Sequence, residues 1–232
     1  MLHALCEISA LVLDMHMELD MNHLRQIFSS ALASDCLDFL GHRNQILNSD
    51  IEMISGEGVM VGWAFPVRLE IADVAPEVPY VGLLAALDAV KEDQVYVIAS
   101  HRLGRAALWG ELLATACSFK GVAGALADGP IRDVARLRTM GFKVFGIETS
   151  PLDINSRYEV VAHNVSCVID GVTINPGDLI VADVDGVAVV PSGIIDAVIR
   201  LVEEKNSGES QFRTAVKEGM SPSAAFAKFG VL

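Results

Sequence analysis

The sequence predicts an α/β fold: a single domain with a parallel α/β layer, a β meander and helical termini. Three observations carry that expectation. Between Gly82 and Gly146, apolar runs of strand length alternate with helix-length periodic segments across short loops, as a parallel sheet with crossover helices requires. Between Arg157 and Val190 the runs shorten and are punctuated by Asp170-Gly171, Asn175-Pro176-Gly177-Asp178 and Asp185-Gly186, all strong turn signals. Residues 22–40 and the chain from Ser192 onward carry helical patterns. No repeat, low-complexity tract or linker-like shift in composition divides the chain.

In order, residues 22–40 read as an amphipathic helix with a break, where Ser34 or Asp35 is placed to cap a second short helix. Apolar strand-like stretches follow at Gly58 to Phe65 and Val67 to Ile71. Gly82 to Val90 is a helix leading to a buried strand at Gln94 to Ala99, by its V-Y-V-I-A run. His101 to Arg105 forms the strand-to-helix loop. Then come a helix at Glu111 to Phe119, a strand at Val122 to Ala127, a turn at Asp128-Gly129-Pro130, a helix at Val134 to Met140 and a strand at Lys143 to Gly146. The C-terminal helical segment should break near Asn206-Ser207-Gly208 and at Gly219. Ser221 then caps a last helix with Pro222 in its first turn.

Composition narrows the function. At 232 residues and 52% hydrophobic, the chain has ample material for a core, and no apolar run reaches the length of a membrane span. The apolar opening MLHALCEISALVLD lacks a basic flank and a small-residue cleavage site, so a cytoplasmic location is expected. Residues 1–21 read as an N-terminal extension, with Met21 an alternative start, and 22–232 as the domain. A net charge of −13 argues against a nucleic-acid backbone as partner and suits a basic protein. The four cysteines are scattered and read as reduced, buried thiols.

The chemistry concentrates in Trp109 to Asp133. Gly110 and Glu111 open a helix, where unpaired N–H groups and the helix dipole favour an anion. Arg132 and Asp133 stand side by side at the mouth of the next helix, one crossover away. In an open parallel sheet, both places lie beyond the carboxyl ends of strands, where ligands bind. The N–H groups with Arg132 suit a carboxylate, and Asp133 suits a hard cation. The plainer alternative is capping and salt bridging.

Other signatures fail. No histidine pair has zinc spacing, and Asp183-Val184-Asp185-Gly186 resembles a calcium loop but lacks the remaining ligands, so it reads as a hairpin turn. Gly121 to Gly124 opens no helix, and neither a phosphate-binding loop nor a nucleophile elbow is present. No lysine lies inside an apolar strand where burial would prepare it for Schiff-base work.

The segments GELLATACSFKGVAGALADGPIRDVARLRTMGFKVFGIETSP and PGDLIVADVDGVAVVP, with the closing KFGVL, resemble a known family over about residues 22–232. It comprises the class II 4-hydroxy-4-methyl-2-oxoglutarate / 4-carboxy-4-hydroxy-2-oxoadipate aldolases and the regulator of ribonuclease E activity A proteins. The resemblance implies a β/β/α swivelling fold, a homotrimer or homohexamer, and Mg2+ or Mn2+. It also implies cleavage of a 4-hydroxy-2-oxo acid to pyruvate plus a keto acid, with oxaloacetate decarboxylation as a side activity. It assigns the metal to Asp133, substrate contacts to Gly110, Glu111, Leu112, Leu113 and Arg132, and catalytic roles to Arg132 and Glu111. It points to Glu209 as the acidic residue that a neighbouring subunit would lend to the site. Pro130 and Ile147-Glu148 depart from the family's usual pattern and bear on the substrate. The rival expectation is a non-catalytic ring that masks a ribonuclease or helicase; such members tend to lack the acidic residue that this chain keeps at Glu111.

Overall fold

The computed structural model describes residues 19–48, 50–72, 77–102 and 104–231. Nearly all of the 1–21 extension, with Cys6, therefore lies outside the described residues. The chain folds as one mixed α/β domain around an eight-stranded sheet of spatial order β1-β5-β4-β3-β2-β9-β10, with β6 also paired to β2. Its parallel heart is β2 (Met60–Ile71), β3 (Gln94–Ala99), β4 (Gly124–Ala127) and β5 (Val144–Gly146). The connecting helices are α3 (Val81–Ala89), α4 (Glu111–Phe119) and α5 (Val134–Met140), as the alternating pattern predicts. β1 (Glu52–Ser55) adds an antiparallel edge on β5.

Strand β2 sets the layout. The sequence suggests two strands interrupted by Pro66, and the structure has one of 12 residues. Its amino half pairs with β9 (Leu179–Asp183), from Met60 opposite Ala182 to Trp63 opposite Leu179. Its carboxyl half pairs with β6 (Tyr158–His163), from Val67 opposite His163 to Ile71 opposite Tyr158. Pro66 falls between the two partners, where its carbonyl accepts from the Asn164 N–H at 2.7 Å. N–H and C=O of one strand residue face the same edge, so the missing N–H costs no ladder bond.

The expected meander resolves differently. Instead of pairing consecutively, β6 returns to β2, and β7 (Cys167–Ile169) with β8 (Val172–Ile174) forms a separate hairpin. β9 and β10 (Gly186–Val190) form a second hairpin that joins the main sheet. Asp170 and Gly171 turn the first hairpin at φ 51° and 80°, the doubly left-handed geometry that a two-residue turn needs. In the second, Gly186 opens β10 opposite Asp183, so the loop residues are Val184 and Asp185, one position earlier than expected.

Side chains alternate across the sheet. Tyr96, Ile98, Phe65 and Val67 face the core under α3, α4 and α5. On the same side, Val61, Val181 and Val190 meet α1 (Met21–Ile27), α2 (Ser30–Phe39) and α6 (Ile195–Lys217). Val95, Val97, Leu126 and Phe145 face the other way, towards the β7–β8 hairpin. The layers are hairpin, sheet and helices, the β/β/α arrangement that the resemblance implies. Each large aliphatic side chain so buried contributes about 1.5–3 kcal/mol, more than an exposed ion pair.

Tertiary contacts also move two helix boundaries. The break in the first helical segment comes at Phe28-Ser29, with Ser29 Oγ accepting from the Leu32 N–H, not at Ser34 or Asp35. Buried Asp183 accepts from both the backbone N–H and the hydroxyl of Ser30, which anchors that helix start. Helix α6 runs unbroken through Asn206-Ser207-Gly208. Asn206 donates to the Ile27 carbonyl, and at Gly208 a Cβ would come within 3.1 Å of Val231, so the small residue leaves room for the chain end. The last helix, α7 (Pro222–Phe229), starts as expected with Ser221 as cap.

Cys36, Cys117 and Cys167 are buried free thiols, and burial pushes Cys117 and Cys167 up to about 12. Thiolate is the reactive form. Folded protein should therefore resist iodoacetamide at these positions at mildly alkaline pH and take up label there only after urea unfolding, as peptide mass mapping will read.

Candidate active site

Strands β3, β4 and β5 end at the same edge of the sheet, and the loops that follow them continue side by side as a short backbone ladder. Trp109 bridges Ile131, and Ile131 bridges Thr149, both in parallel register. The Leu108 N–H donates to the Pro130 carbonyl, the Arg132 N–H to the Trp109 carbonyl, and the Ser150 N–H to the Ile131 carbonyl. Buried Asp128 braces the base of this ladder by accepting from the Ser100 backbone N–H and hydroxyl at 2.8 and 2.6 Å. The loops are thereby tied to one another by backbone hydrogen bonds, as strands are. Trp109, 1% exposed and stacked on Phe142, anchors the first of them in the core.

This ladder brings Gly110, Glu111, Arg132 and Asp133 together. A Cβ on Gly110 would lie 2.8 Å from Asp133 Oδ2 and 3.0 Å from Arg132 Cγ, so only glycine allows the helix start to approach the pair so closely. Gly110 itself is extended, at φ −164°, so its role is space. Gly110→Ala should leave the melting temperature nearly unchanged, because half-exposed side-chain ends can yield. It should displace Arg132 and Asp133 enough to lower oxo-acid turnover by about 100-fold, measured beside a thermal melt.

Asp133 takes the left-handed conformation, φ 58° and ψ 29°, as it opens α5. Aspartate tolerates that region, yet it is uncommon and clusters at functional sites. The result turns the carboxylate back towards α4. Its Oδ2 accepts from the Glu111 N–H at 3.3 Å and stands 3.7 Å from Arg132 Nε. One helix-start N–H is thus already met by Asp133. The Leu112 and Leu113 N–H groups make no hydrogen bond among the described residues. The Glu111 carboxylate lies along its own helix, 3.2 Å from the Thr115 hydroxyl, which shares its one proton with the nearer Glu111 backbone carbonyl at 3.0 Å. Leu113 packs on the core, and Leu112 is 72% exposed.

Two further residues lie at this cluster with no motif in the sequence to mark them. Asp153, on the loop after β5, places Oδ1 3.6 Å from Arg132 Nη1 and accepts through Oδ2 from the Tyr80 hydroxyl at 2.7 Å. Burial pushes the Asp153 carboxyl up, but the Tyr80 hydrogen bond, the Asn155 N–H and Arg132 outweigh it and leave it below the ordinary value. Asp153 pushes the Tyr80 phenol up in turn. The available signal was topological, since a third loop leaves the same sheet edge after β5. A recess of about 480 Å³, bordered by Tyr80, Val81, Leu83, Ile154 and Tyr158, opens beside Tyr80.

Glu209 is not part of this cluster. It lies on α6, which packs over α1 and α2, and it pairs with Arg213 one turn away. Lys143 stands outside the strands, as every lysine does, but it is partly buried, and burial followed by Arg25 lowers its pKa. It precedes β5, however, at the amino end of the parallel strands, away from the loops that carry Arg132.

Among the described residues, no group of three or more histidine, cysteine or acidic side chains converges as a metal cage. The donor set still fits Mg2+, which commonly uses one or two carboxylates and completes its shell with water and ligand oxygens. Asp133, with 43% of its side chain exposed, can supply such a carboxylate.

Fold and site together define a β/β/α domain with an acidic and a basic side chain paired beyond the carboxyl ends of its parallel strands. The chain belongs to the RraA-like family (Aldolase/RraA), whose family model matches residues 30–189. It is 28% identical over 202 residues to protein DlpA of Legionella pneumophila, covering 85% of this chain but only 32% of that longer protein. It is also 28% identical over 193 residues to a Halalkalibacterium halodurans protein provisionally named 4-hydroxy-4-methyl-2-oxoglutarate aldolase, covering 83% of this chain and 87% of that one. The crystal structure of Streptomyces coelicolor RraAS2, titled an unusual member of the RNase ES inhibitor RraA protein family, superposes with a TM-score of 0.73. Identity there is 29%, over 81% of this chain and 93% of the other.

Proposed function

We propose that the protein is a divalent-metal-dependent lyase that cleaves a 4-hydroxy-2-oxo acid to pyruvate and a second keto acid. The observation that carries this reading is the Gly110–Glu111–Arg132–Asp133 juxtaposition, in which a pair of helix-start N–H groups without a hydrogen-bond partner among the described residues, a guanidinium and an exposed carboxylate share one sheet edge. Asp133 would hold Mg2+ or Mn2+, which supplies Lewis-acid stabilisation of negative charge on the 2-oxo oxygen. Arg132 orients the substrate carboxylate and keto oxygen through its planar fork. The Leu112 and Leu113 N–H groups add donors at the positive end of α4. In the cleavage the C3–C4 bond breaks, the 4-hydroxyl loses its proton as it becomes a carbonyl, and C3 gains one. Glu111, on leaving Thr115, would move that proton. Oxaloacetate decarboxylation draws on the same stabilisation and is the side activity to expect.

We further propose a homotrimer or homohexamer in the cytoplasm. Val81, Leu84, Leu112 and Phe119 leave large apolar side chains exposed on α3 and α4, the two helices whose starts carry Tyr80 and Glu111, which favours burial against another copy. Glu209 would then act in a neighbour's site, since its own chain keeps it elsewhere. No helix among the described residues is long and apolar enough to cross a membrane.

The test is pyruvate release from a panel of 4-hydroxy-2-oxo acids, 4-hydroxy-4-methyl-2-oxoglutarate and 4-carboxy-4-hydroxy-2-oxoadipate included. EDTA should abolish it and Mg2+ or Mn2+ restore it, and borohydride with substrate should trap no adduct. A lysine adduct, or cleavage indifferent to EDTA, overturns the metal-assisted reading. The similarity to RraAS2 supports the second reading, a ribonuclease-masking ring, which gains if no oxo acid is cleaved.

A further inference from the structure

We propose that Tyr80 and Asp153 are a positioning pair that sets the orientation of the Arg132 guanidinium for the oxo acid. The inference rests on the reading of Arg132 as the substrate-gripping group. The contacts are tight on the far side and loose on the near side. Tyr80 donates to Asp153 Oδ2 at 2.7 Å, which fixes the plane of that carboxylate. Asp153 Oδ1 then faces Arg132 Nη1 at 3.6 Å, and Asp133 Oδ2 faces Arg132 Nε at 3.7 Å. Both separations exceed a hydrogen bond. The guanidinium is therefore held between two negative charges while its N–H donors stay free for a ligand. Direct bidentate pairing with either carboxylate would consume those donors.

Backbone conformation points the same way. Tyr80 precedes α3 in the left-handed region, φ 64°, which is rare for a bulky side chain and persists only where surrounding structure demands it. Asp133 shares that conformation at the other end of the same chain of contacts. The Asn155 N–H also reaches Asp153 Oδ1, at 3.3 Å, and an ordinary turn explains that contact. A turn explains neither Tyr80 nor the approach to Arg132. The pKa directions agree, because Tyr80 keeps its proton and Asp153 its charge at neutral pH.

The test is calorimetric binding of oxalate, a compact dianion of enolate shape, to the full-length protein loaded with Mg2+, with Mn2+ affinity read separately by electron paramagnetic resonance. Asp153→Asn should weaken oxalate binding about tenfold and Tyr80→Phe by a smaller factor, with Mn2+ affinity unchanged. In an Arg132→Lys background, adding Asp153→Asn should have no further effect, because residues acting through one another do not add. A structural role alone would weaken binding in both backgrounds. Wild-type oxalate affinity in Asp153→Asn, or an undiminished effect in the Arg132→Lys background, overturns the pairing. If Arg132→Lys itself binds oxalate like wild type, the reading of Arg132 fails, and the positioning role falls with it. Should Asp153→Asn fold poorly in a melt, Tyr80→Phe carries the same cycle, since it removes one hydroxyl and keeps the ring.

Discussion

Asp133→Asn is expected to fold like wild type and to lose oxo-acid cleavage by about 1,000-fold in kcat, with a much higher Mg2+ concentration needed for what remains. The folding half follows from the backbone. Position 133 sits at φ 58°, and asparagine is as tolerant of that left-handed region as aspartate is. It can also still accept from the Glu111 N–H. The activity half follows from charge. Mg2+ binds hard anionic oxygen, and a neutral amide oxygen is a poor substitute. Loss of the ion removes the electrostatic stabilisation of charge developing on the substrate, where single contributions are worth about 10²–10³ in rate. Steady-state kinetics across a Mg2+ titration, with a thermal melt alongside, reads both halves. A variant that melts normally and turns over at the wild-type rate at low Mg2+ would remove Asp133 from the chemistry.

Arg132→Lys should behave in the opposite way, leaving metal affinity nearly unchanged and lowering kcat/KM for the oxo acid by tens-fold or more, on the order of 2 kcal/mol. Lysine keeps the positive charge but has no planar fork. It also cannot stand between Asp153 and Asp133 at 3.6 and 3.7 Å while presenting paired donors outward. The Arg132 N–H bond to the Trp109 carbonyl is backbone and survives the change, so the loop should hold. If both variants fold and cleave every tested oxo acid as wild type does, the site is not catalytic and the ribonuclease-masking reading moves ahead.

Much of the fold was legible because it is written in local patterns. The strand Gln94–Ala99 and the helices Glu111–Phe119 and Val134–Met140 have the predicted bounds. The strand shows as an unbroken apolar run, and the second helix has a clear stop in Gly141, at φ 68° after Met140. Places where the reading slipped are those where a distant partner decides. Pro66 looks like a strand end until β9 and β6 are seen to meet on either side of it. Asn206-Ser207-Gly208 looks like a helix break until Ile27 and Val231 supply its contacts. The short strands after Arg157 look like a meander because turn residues show where a chain reverses and not which strand it then joins.

The site divides in the same way. Sequence alone determined that Glu111 and Arg132-Asp133 lie one crossover apart, because a strand–helix–strand unit returns every such loop to the same sheet edge. It determined too that Asp133 should open a helix. Tertiary structure decided what those side chains face. Gly110 makes room for the Arg-Asp pair only once Trp109 and Ile131 lie in register. Asp153 reaches Arg132 from a third loop, and Tyr80 reaches Asp153 from the start of α3. Periodicity reports which face of its own element a residue occupies, so it is silent on contacts made between loops of different elements; those exist only after the sheet has set the spacing of its strands.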